Sequence, residues 1–288
     1  MKTVELVSGI KSSALGFGCA PILGSVDKVK AQRALDCALD CGITHLDLAR
    51  SYGYGEAEEF VGKRIKGRRD RVVLASKFGV QANWKAALFR PVKPLVRVML
   101  DTWRRQSSPE KITLTSNKPT SVADRFHDRI PLRAMQMRQS LEKSLRALNT
   151  DYLDYFFIHE PQEDLIYFDE LALTAEQLKR EGKIRAWGLA YFRSQEPIHK
   201  AYLSNFDVLQ FDNSPGSPGY DHVVAERGSR ANILFSPLSG GTKTMTPSEK
   251  LNKLFEDFPN SVVLCSMFNQ QHLKNNIESI RSFNNSIL

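Results

Sequence analysis

Eight short apolar runs, each followed by a helix-length stretch, constrain this chain more than any other feature. The runs are Ala14 to Phe17, Thr44 to Leu48, Val72 to Lys77, Leu153 to His159, Ala186 to Leu189, Val208 to Phe211, Ile233 to Ser236 and Val262 to Cys265. Alternation of β-rich runs with helical patterns marks repeated βα units on a parallel sheet. Eight such units predict an α/β fold closed into a (β/α)8 TIM barrel. Two of the intervening helices are legible from their periodicity: Met137, Leu141, Leu145 and Leu148 share one face, as do Leu273, Ile277 and Ile280. Both faces would pack on the barrel exterior. Ser25 and Asn269 precede helical patterns and are candidate N-caps.

At 288 residues, with 42% hydrophobic side chains, the chain is long enough for one large barrel core, and the sequence predicts a single domain over residues 1–288. No stretch approaches the ~20 apolar residues of a membrane span, and no basic start leads into an apolar run. The expectation is a soluble, cytoplasmic protein. Of the four cysteines, Cys19, Cys37, Cys41 and Cys265, only Cys37 and Cys41 are close in sequence. A lone pair lacks the further ligands zinc needs, so reduced, buried thiols and no metal site are expected.

The regular alternation is interrupted once, by a long insertion after the third strand, about residues 80–131. It carries ten Lys/Arg against four acids, which accounts for +6 of the formal charge of +8. The charge excess is therefore a local feature and not a basic face spread over the fold, and nucleic-acid binding is not expected. In this kind of barrel the βα loops build the active-site face, and a long loop in a compact domain is usually a lid or binding loop.

Four polar residues stand at or just past the C-terminal ends of predicted strands: Asp47, Tyr52, Lys77 and His159. Charged groups at a barrel mouth must find one another, because an isolated buried charge is costly. Together Tyr, Lys and Asp make a proton-transfer device. A neighbouring ammonium lowers the tyrosine pKa, and a carboxylate keeps the lysine charged and oriented. A nearby histidine can donate to a carbonyl oxygen, so with a hydride donor against the carbon such a group reduces a carbonyl to an alcohol. Taken singly, each residue has an ordinary structural explanation; four in the right strand order are a stronger signal.

The run from Thr44 to Glu58, containing Asp47 and Tyr52, resembles the Asp-to-Tyr signature of the aldo-keto reductases. Ser76-Lys77-Phe78-Gly79 resembles their lysine motif, Asp154 to His159 is similar to their histidine strand, and Gly182 to Gly188 resembles the segment leading into their nicotinamide site. The likeness runs in order from about Leu15 to Asn276. It implies a barrel that binds NADP, or NAD, without a Rossmann domain and acts on a small carbonyl or alcohol substrate. Carried over by residue, it implies Tyr52 as general acid/base, tuned by Lys77 and Asp47, with His159 orienting the carbonyl. It further implies Gln210 on the carboxamide, Phe235 stacked on the nicotinamide within Phe235-Ser236-Pro237-Leu238, and Ser266 and Asn275 toward the adenosine phosphate and adenine.

Three departures stand out. Ala190-Tyr191 stands where the family has a Ser-Asn carboxamide pair, leaving Gln210, alone or with Asn213. Cys265 and Gln271 replace the lysine and arginine that hold a 2′-phosphate, which weakens the NADP expectation unless Lys274 or the insertion compensates. The sequence also stops at Leu288 without the long C-terminal loop of many members. These departures motivate an alternative, a catalytically weak cofactor-sensing subunit. Of the other histidines, His45 is expected in the barrel wall, and His127, His199, His222 and His272 on the solvated surface. Gly53-Tyr54-Gly55 is not a phosphate loop, since Glu58 stands where a third glycine is needed.

Overall fold

The computed structural model describes residues 1–89, 125–239, 241 and 244–285. The chain opens with a hairpin of β1 (Thr3–Val7) and β2 (Ile10–Ser13). The barrel strands follow: β3 (Leu15–Gly18), β4 (His45–Asp47) and β5 (Val73–Phe78). A second hairpin, β6 (Val80–Ala82) and β7 (His127–Arg129), comes next. The barrel then continues through β8 (Leu153–His159), β9 (Ile184–Tyr191), β10 (Val208–Asp212), β11 (Asn232–Phe235) and β12 (Val262–Cys265). The helices are α1 (Lys28–Asp40), α2 (Ala57–Ile65), α3 (Trp84–Phe89), α4 (Ala134–Leu148), α5 (Phe168–Arg180), α6 (Glu196–His199), α7 (Tyr220–Arg227), α8 (Pro247–Asp257) and α9 (Gln270–Asn285).

Among the described residues, eight parallel strands close into a barrel in the order β3-β4-β5-β8-β9-β10-β11-β12, each of them one of the eight apolar runs. The helix faces read from periodicity are buried: Met137, Leu141, Leu145 and Leu148 on α4, and Leu273, Ile277 and Ile280 on α9. One cap differs from expectation. Asp27, not Ser25, caps α1, its side chain accepting from the Lys30 N–H at 2.9 Å, whereas Asn269 caps α9 by accepting from Gln271 N at 2.8 Å. No helix among the described residues is long and apolar enough to cross a membrane.

The N-terminal hairpin lies against the N-terminal end of the barrel, where Ser12 Oγ pairs with His45 Nδ1 at 3.2 Å and Arg185, near the start of β9, donates to Gly9 O at 2.7 Å. Above it the interior is filled by aromatic rings: His45 stacks on Tyr155, which packs against Phe157. Gly188 makes room for them. A Cβ there would lie 2.3 Å from Val208 O and 2.6 Å from Phe157 Cε1, so only glycine lets β9 approach β10 past the Phe157 ring.

The two described ends of the insertion pair as β6 and β7 in antiparallel register, Val80 opposite Arg129 and Ala82 opposite His127. Its middle, residues 90–124, where most of its basic side chains fall, lies outside the described residues.

Candidate active site

Parallel register brings the ends of four strands to one level. His159 pairs with Ala190 and Ala190 with Gln210, while Asp47 pairs with Ala75, two residues before Lys77 on β5. Because side chains alternate across a strand, Asp47, Lys77, His159 and Gln210 converge at the C-terminal mouth. All four are buried: Asp47 is 4% exposed, Lys77 2%, His159 5% and Gln210 1%. Tyr52 arrives from the loop after β4. That loop turns through two consecutive left-handed residues, Gly53 (φ 62°) and Tyr54 (φ 61°). A Cβ on Gly53 would lie 2.5 Å from Ile22 O, so the turn needs glycine for space as well as for φ.

Lys77 organises the mouth. Its Nζ donates to Asp47 Oδ2 at 2.7 Å, to Leu48 O at 2.9 Å and to Tyr52 Oη at 3.1 Å. Asp47 is held from its other side, Oδ1 accepting from Gln210 Nε2 at 2.9 Å. Tyr52 and His159 meet edge to face, with ring centroids 6.0 Å apart. Burial works against the Lys77 charge, but Asp47 and Tyr52 together outweigh it and hold the ammonium above its ordinary pKa. Burial pushes the Tyr52 phenol up to about 12, with the Lys77 charge acting in the opposite direction. The structure thus reverses the expected lowering: the ammonium does favour the phenolate, but desolvation of the hydroxyl is larger. Burial first, then the positive charges of Lys77 and Arg129, depress the His159 pKa well below the ordinary value, so its imidazole is neutral at pH 7.

Around this group lie residues that the sequence did not flag. The insertion base packs on the Tyr52 loop, with Phe126 edge to face on Tyr54 at 5.3 Å and His127 Nε2 bonded to Ser51 O at 3.0 Å. Glu160, directly after β8, is a non-glycine residue at φ 47° whose carboxylate comes 3.8 Å from His159 Nε2. Only its place next to His159 could have signalled it. His199, expected on the surface, is fully buried, with Nδ1 on Tyr202 Oη at 2.7 Å and Nε2 on Pro161 O at 3.0 Å. His127 is half-buried, while His222 and His272 are exposed.

A cleft of about 540 Å³ opens beside the mouth, lined among others by Ser236, Leu238, Ser266 and Asn275. Ser236 sits at φ 53° just past β11, and Phe235 is half-buried, its ring edge to face with Phe192 at 5.3 Å. Ser266 Oγ donates to Gly18 O at 3.2 Å, and Gln271 Nε2 donates to Asn275 Oδ1 at 2.8 Å. Gln271 is outside the cleft lining, and the lining contains no lysine or arginine among the described residues. Lys274 lies near Cys37 on α1, where burial and the neighbouring Cys41 push the thiol up and the Lys274 charge only partly offsets them. Cys19 and Cys265 are buried free thiols, while Cys37 and Cys41 are free and only half-buried.

Comparison with known proteins decides the family. The family model described as "Aldo/keto reductase family" matches residues 14–214. The chain belongs to this family. Aldo-keto reductase YhdN of Bacillus subtilis is 31% identical over 207 residues, 67% of this chain and 50% of that protein. The NADH-specific methylglyoxal reductase of Escherichia coli is 28% identical over 223 residues, 73% of this chain and 58% of its own. The chain thus spans little more than half the length of these curated relatives. Among solved structures, an aldo-keto reductase from Klebsiella pneumoniae in complex with NADPH superposes with a TM-score of 0.64 at 21% identity, covering 97% of this chain and 89% of the other. That likeness shows the barrel fold.

Ala190 and Tyr191 close β9. Tyr191 is fully buried, its ring against His199 and Phe211. The orientation of the Gln210 amide is fixed: the Asp47 carboxylate can only accept, so Nε2 must face it. That leaves Gln210 Oε1 buried without a partner. Asn213 is also buried, with both side-chain polar atoms unpartnered.

Proposed function

We propose that this chain is an NAD(P)(H)-dependent oxidoreductase that interconverts a carbonyl and an alcohol on a small polar substrate, sugar-like or anionic in kind. The observation that carries the proposal is the single ammonium of Lys77 bonded at once to Tyr52 Oη and Asp47. Tyr52 is protonated at neutral pH and is the proton donor to the carbonyl oxygen; the phenolate left behind is stabilised by Lys77 at 3.1 Å. Asp47 keeps that lysine charged in a site where burial alone would neutralise it. His159, neutral and bordering the Tyr52 ring, donates one ring N–H to the same carbonyl oxygen and fixes its direction. In the oxidative direction the phenolate takes the hydroxyl proton.

The mouth and cleft fit a nicotinamide dinucleotide. The orphaned Gln210 Oε1 is an acceptor suited to a carboxamide N–H. The half-buried Phe235 ring would stack on the nicotinamide, and Ser236, Leu238, Ser266 and Asn275, which line the cleft, would hold the rest of the dinucleotide, Ser266 and Asn275 toward its adenosine end. When bound, the nicotinamide supplies or accepts the hydride. Gln271, tied to Asn275 and uncharged, offers no counter-charge to a 2′-phosphate, and Lys274 lies by α1. NADH is therefore an acceptable cofactor alongside NADPH.

Replacing Tyr52 with Phe tests the proposal. The variant should lose at least ~10²-fold in kcat, the scale of a general acid, while still quenching protein fluorescence on titration with NADPH or NADH. Near-normal turnover would refute the role of Tyr52. Binding of either cofactor without hydride transfer in the unaltered protein would favour the cofactor-sensing alternative, which the Ala190-Tyr191 departure motivates.

A further inference from the structure

The peptide unit that carries Tyr52 is held at both of its polar atoms. The Tyr52 N–H donates to Ala49 O at 3.1 Å, and Ser51 O is bonded to His127 Nε2 at 3.0 Å. A carbonyl oxygen only accepts, so Nε2 is the donor. Ser51 is buried, and a buried carbonyl that loses its partner is costly. Beyond Tyr52 the chain is left-handed for two residues, Gly53 at φ 62° and Tyr54 at φ 61°, a conformation that a tyrosine keeps only where its surroundings impose it. The insertion supplies those surroundings: the Tyr54 ring meets Phe126 edge to face at 5.3 Å and lies 6.3 Å from the His127 ring. His127 is itself anchored. Ala82 on β6 stands opposite it, and the Asn83 N–H donates to Phe126 O at 2.9 Å while Asn83 Nδ2 donates to Arg125 O and Asp128 Oδ1, each at 3.1 Å. The Ile130 N–H donates at 2.9 Å to the carbonyl of Gly79, just past Lys77.

Resting on the proposed reaction, we propose that His127 is a positioning residue for it: by donating to Ser51 O, His127 fixes the peptide plane from which the Tyr52 side chain projects, and with it the place of Oη. It acts through the Ser51 backbone and takes no part in the proton transfer itself. Small tilts of that plane are amplified along the length of the tyrosine side chain. A shift of about 1 Å away from Lys77 Nζ, now at 3.1 Å, breaks that hydrogen bond, and misplacement on this scale costs on the order of 10²-fold in rate. The base of the insertion thus aligns the proton donor. Through the bond from Ile130 to Gly79 it also ties the Tyr52 loop to the strand that carries Lys77.

The test measures kcat and KM for methylglyoxal, dl-glyceraldehyde and propanal, with NADPH and with NADH, in His127→Ala, His127→Asn and His127→Gln. A glutamine amide nitrogen reaches as far from the backbone as Nε2 of histidine, whereas that of asparagine reaches only as far as Nδ1. His127→Ala and His127→Asn should each lose about 10- to 100-fold in kcat, with KM and the cofactor dissociation constants read by fluorescence quenching nearly unchanged. His127→Gln should recover most of the loss. Asparagine and glutamine differ by one methylene at a half-buried position, so a gap between these two variants reports reach and not folding. Normal kcat in His127→Ala overturns the assignment, as does a loss that His127→Gln shares in full or one that falls on KM. Turnover of none of the aldehydes by the unaltered protein, with either cofactor, would overturn the proposed reaction itself, and this inference with it.

Discussion

Asp47→Asn is the most searching perturbation of the mouth because it changes charge and hydrogen-bond polarity while leaving volume unchanged. Both neighbours of the carboxylate donate to it, Lys77 at Oδ2 and Gln210 at Oδ1, and an asparagine has one acceptor and one donor to offer. Gln210 can answer by turning its amide over, but then Oε1 is consumed by the new bond. Lys77, 2% exposed, is left without its counter-charge. Removing one partner of a buried pair costs roughly 3–5 kcal/mol, and because the bonds to Leu48 O and Tyr52 Oη survive, the lower end applies. With about 2.1 cal/mol/K of unfolding entropy per residue, a chain of 288 residues unfolds with roughly 0.6 kcal/mol/K, so the melting temperature should fall by about 5 °C at pH 7. The deficit should narrow as pH rises, since burial lowers the pKa of an unpaired Lys77 and its neutral form needs no counter-ion. Calorimetry at pH 7 and 9 reads both effects. A fall of less than about 2 °C, or one independent of pH, would refute the argument that Asp47 neutralises a desolvated ammonium.

Gly188→Ala should be more damaging than its single methyl suggests, because its Cβ would lie 2.3 Å from Val208 O in the barrel wall; overpacking of this kind costs about 3 kcal/mol, and a melting temperature within a degree of the unaltered protein would contradict it. Stability should also fall in mild acid. Burial lowers the His45 pKa from the ordinary 6.5 to about 4 and depresses that of His159. The unfolded chain takes up these protons first, so the stability is complete above pH 6.5 and is lost as pH falls toward 4. The loss runs at about 1.4 kcal/mol per pH unit for each histidine, roughly 3 kcal/mol in all for His45. Urea unfolding at pH 7.0 and 5.0 measures it, and equal free energies at the two values would show that neither histidine is held neutral by the fold.

Much of this protein was legible from sequence because the relevant signals are local. Continuous apolar runs of strand length separated by helical periodicity determine the eight strands, their order and their parallel sense, since a parallel pair needs a crossover and each helix supplies one. The same runs place Asp47, Lys77 and His159 at strand ends. What escaped the sequence depends on which atoms meet. His199 carries no sign that Pro161 and Tyr202 will enclose it, and Ser25 competes with an equally good cap two residues on, which the helix start at Lys28 selects. The direction of the Tyr52 shift is a balance between an ammonium and desolvation, and only the closed mouth says which is larger. Glu160 shows the division most clearly. Its identity is in the chain, but its left-handed backbone exists because Arg129, brought back by the insertion, and Ala190, from the next strand, both bond to it. Alternation of residue types fixes how many strands a chain has and where they end; closure of the barrel decides which of their side chains share a dielectric, a proton and a substrate.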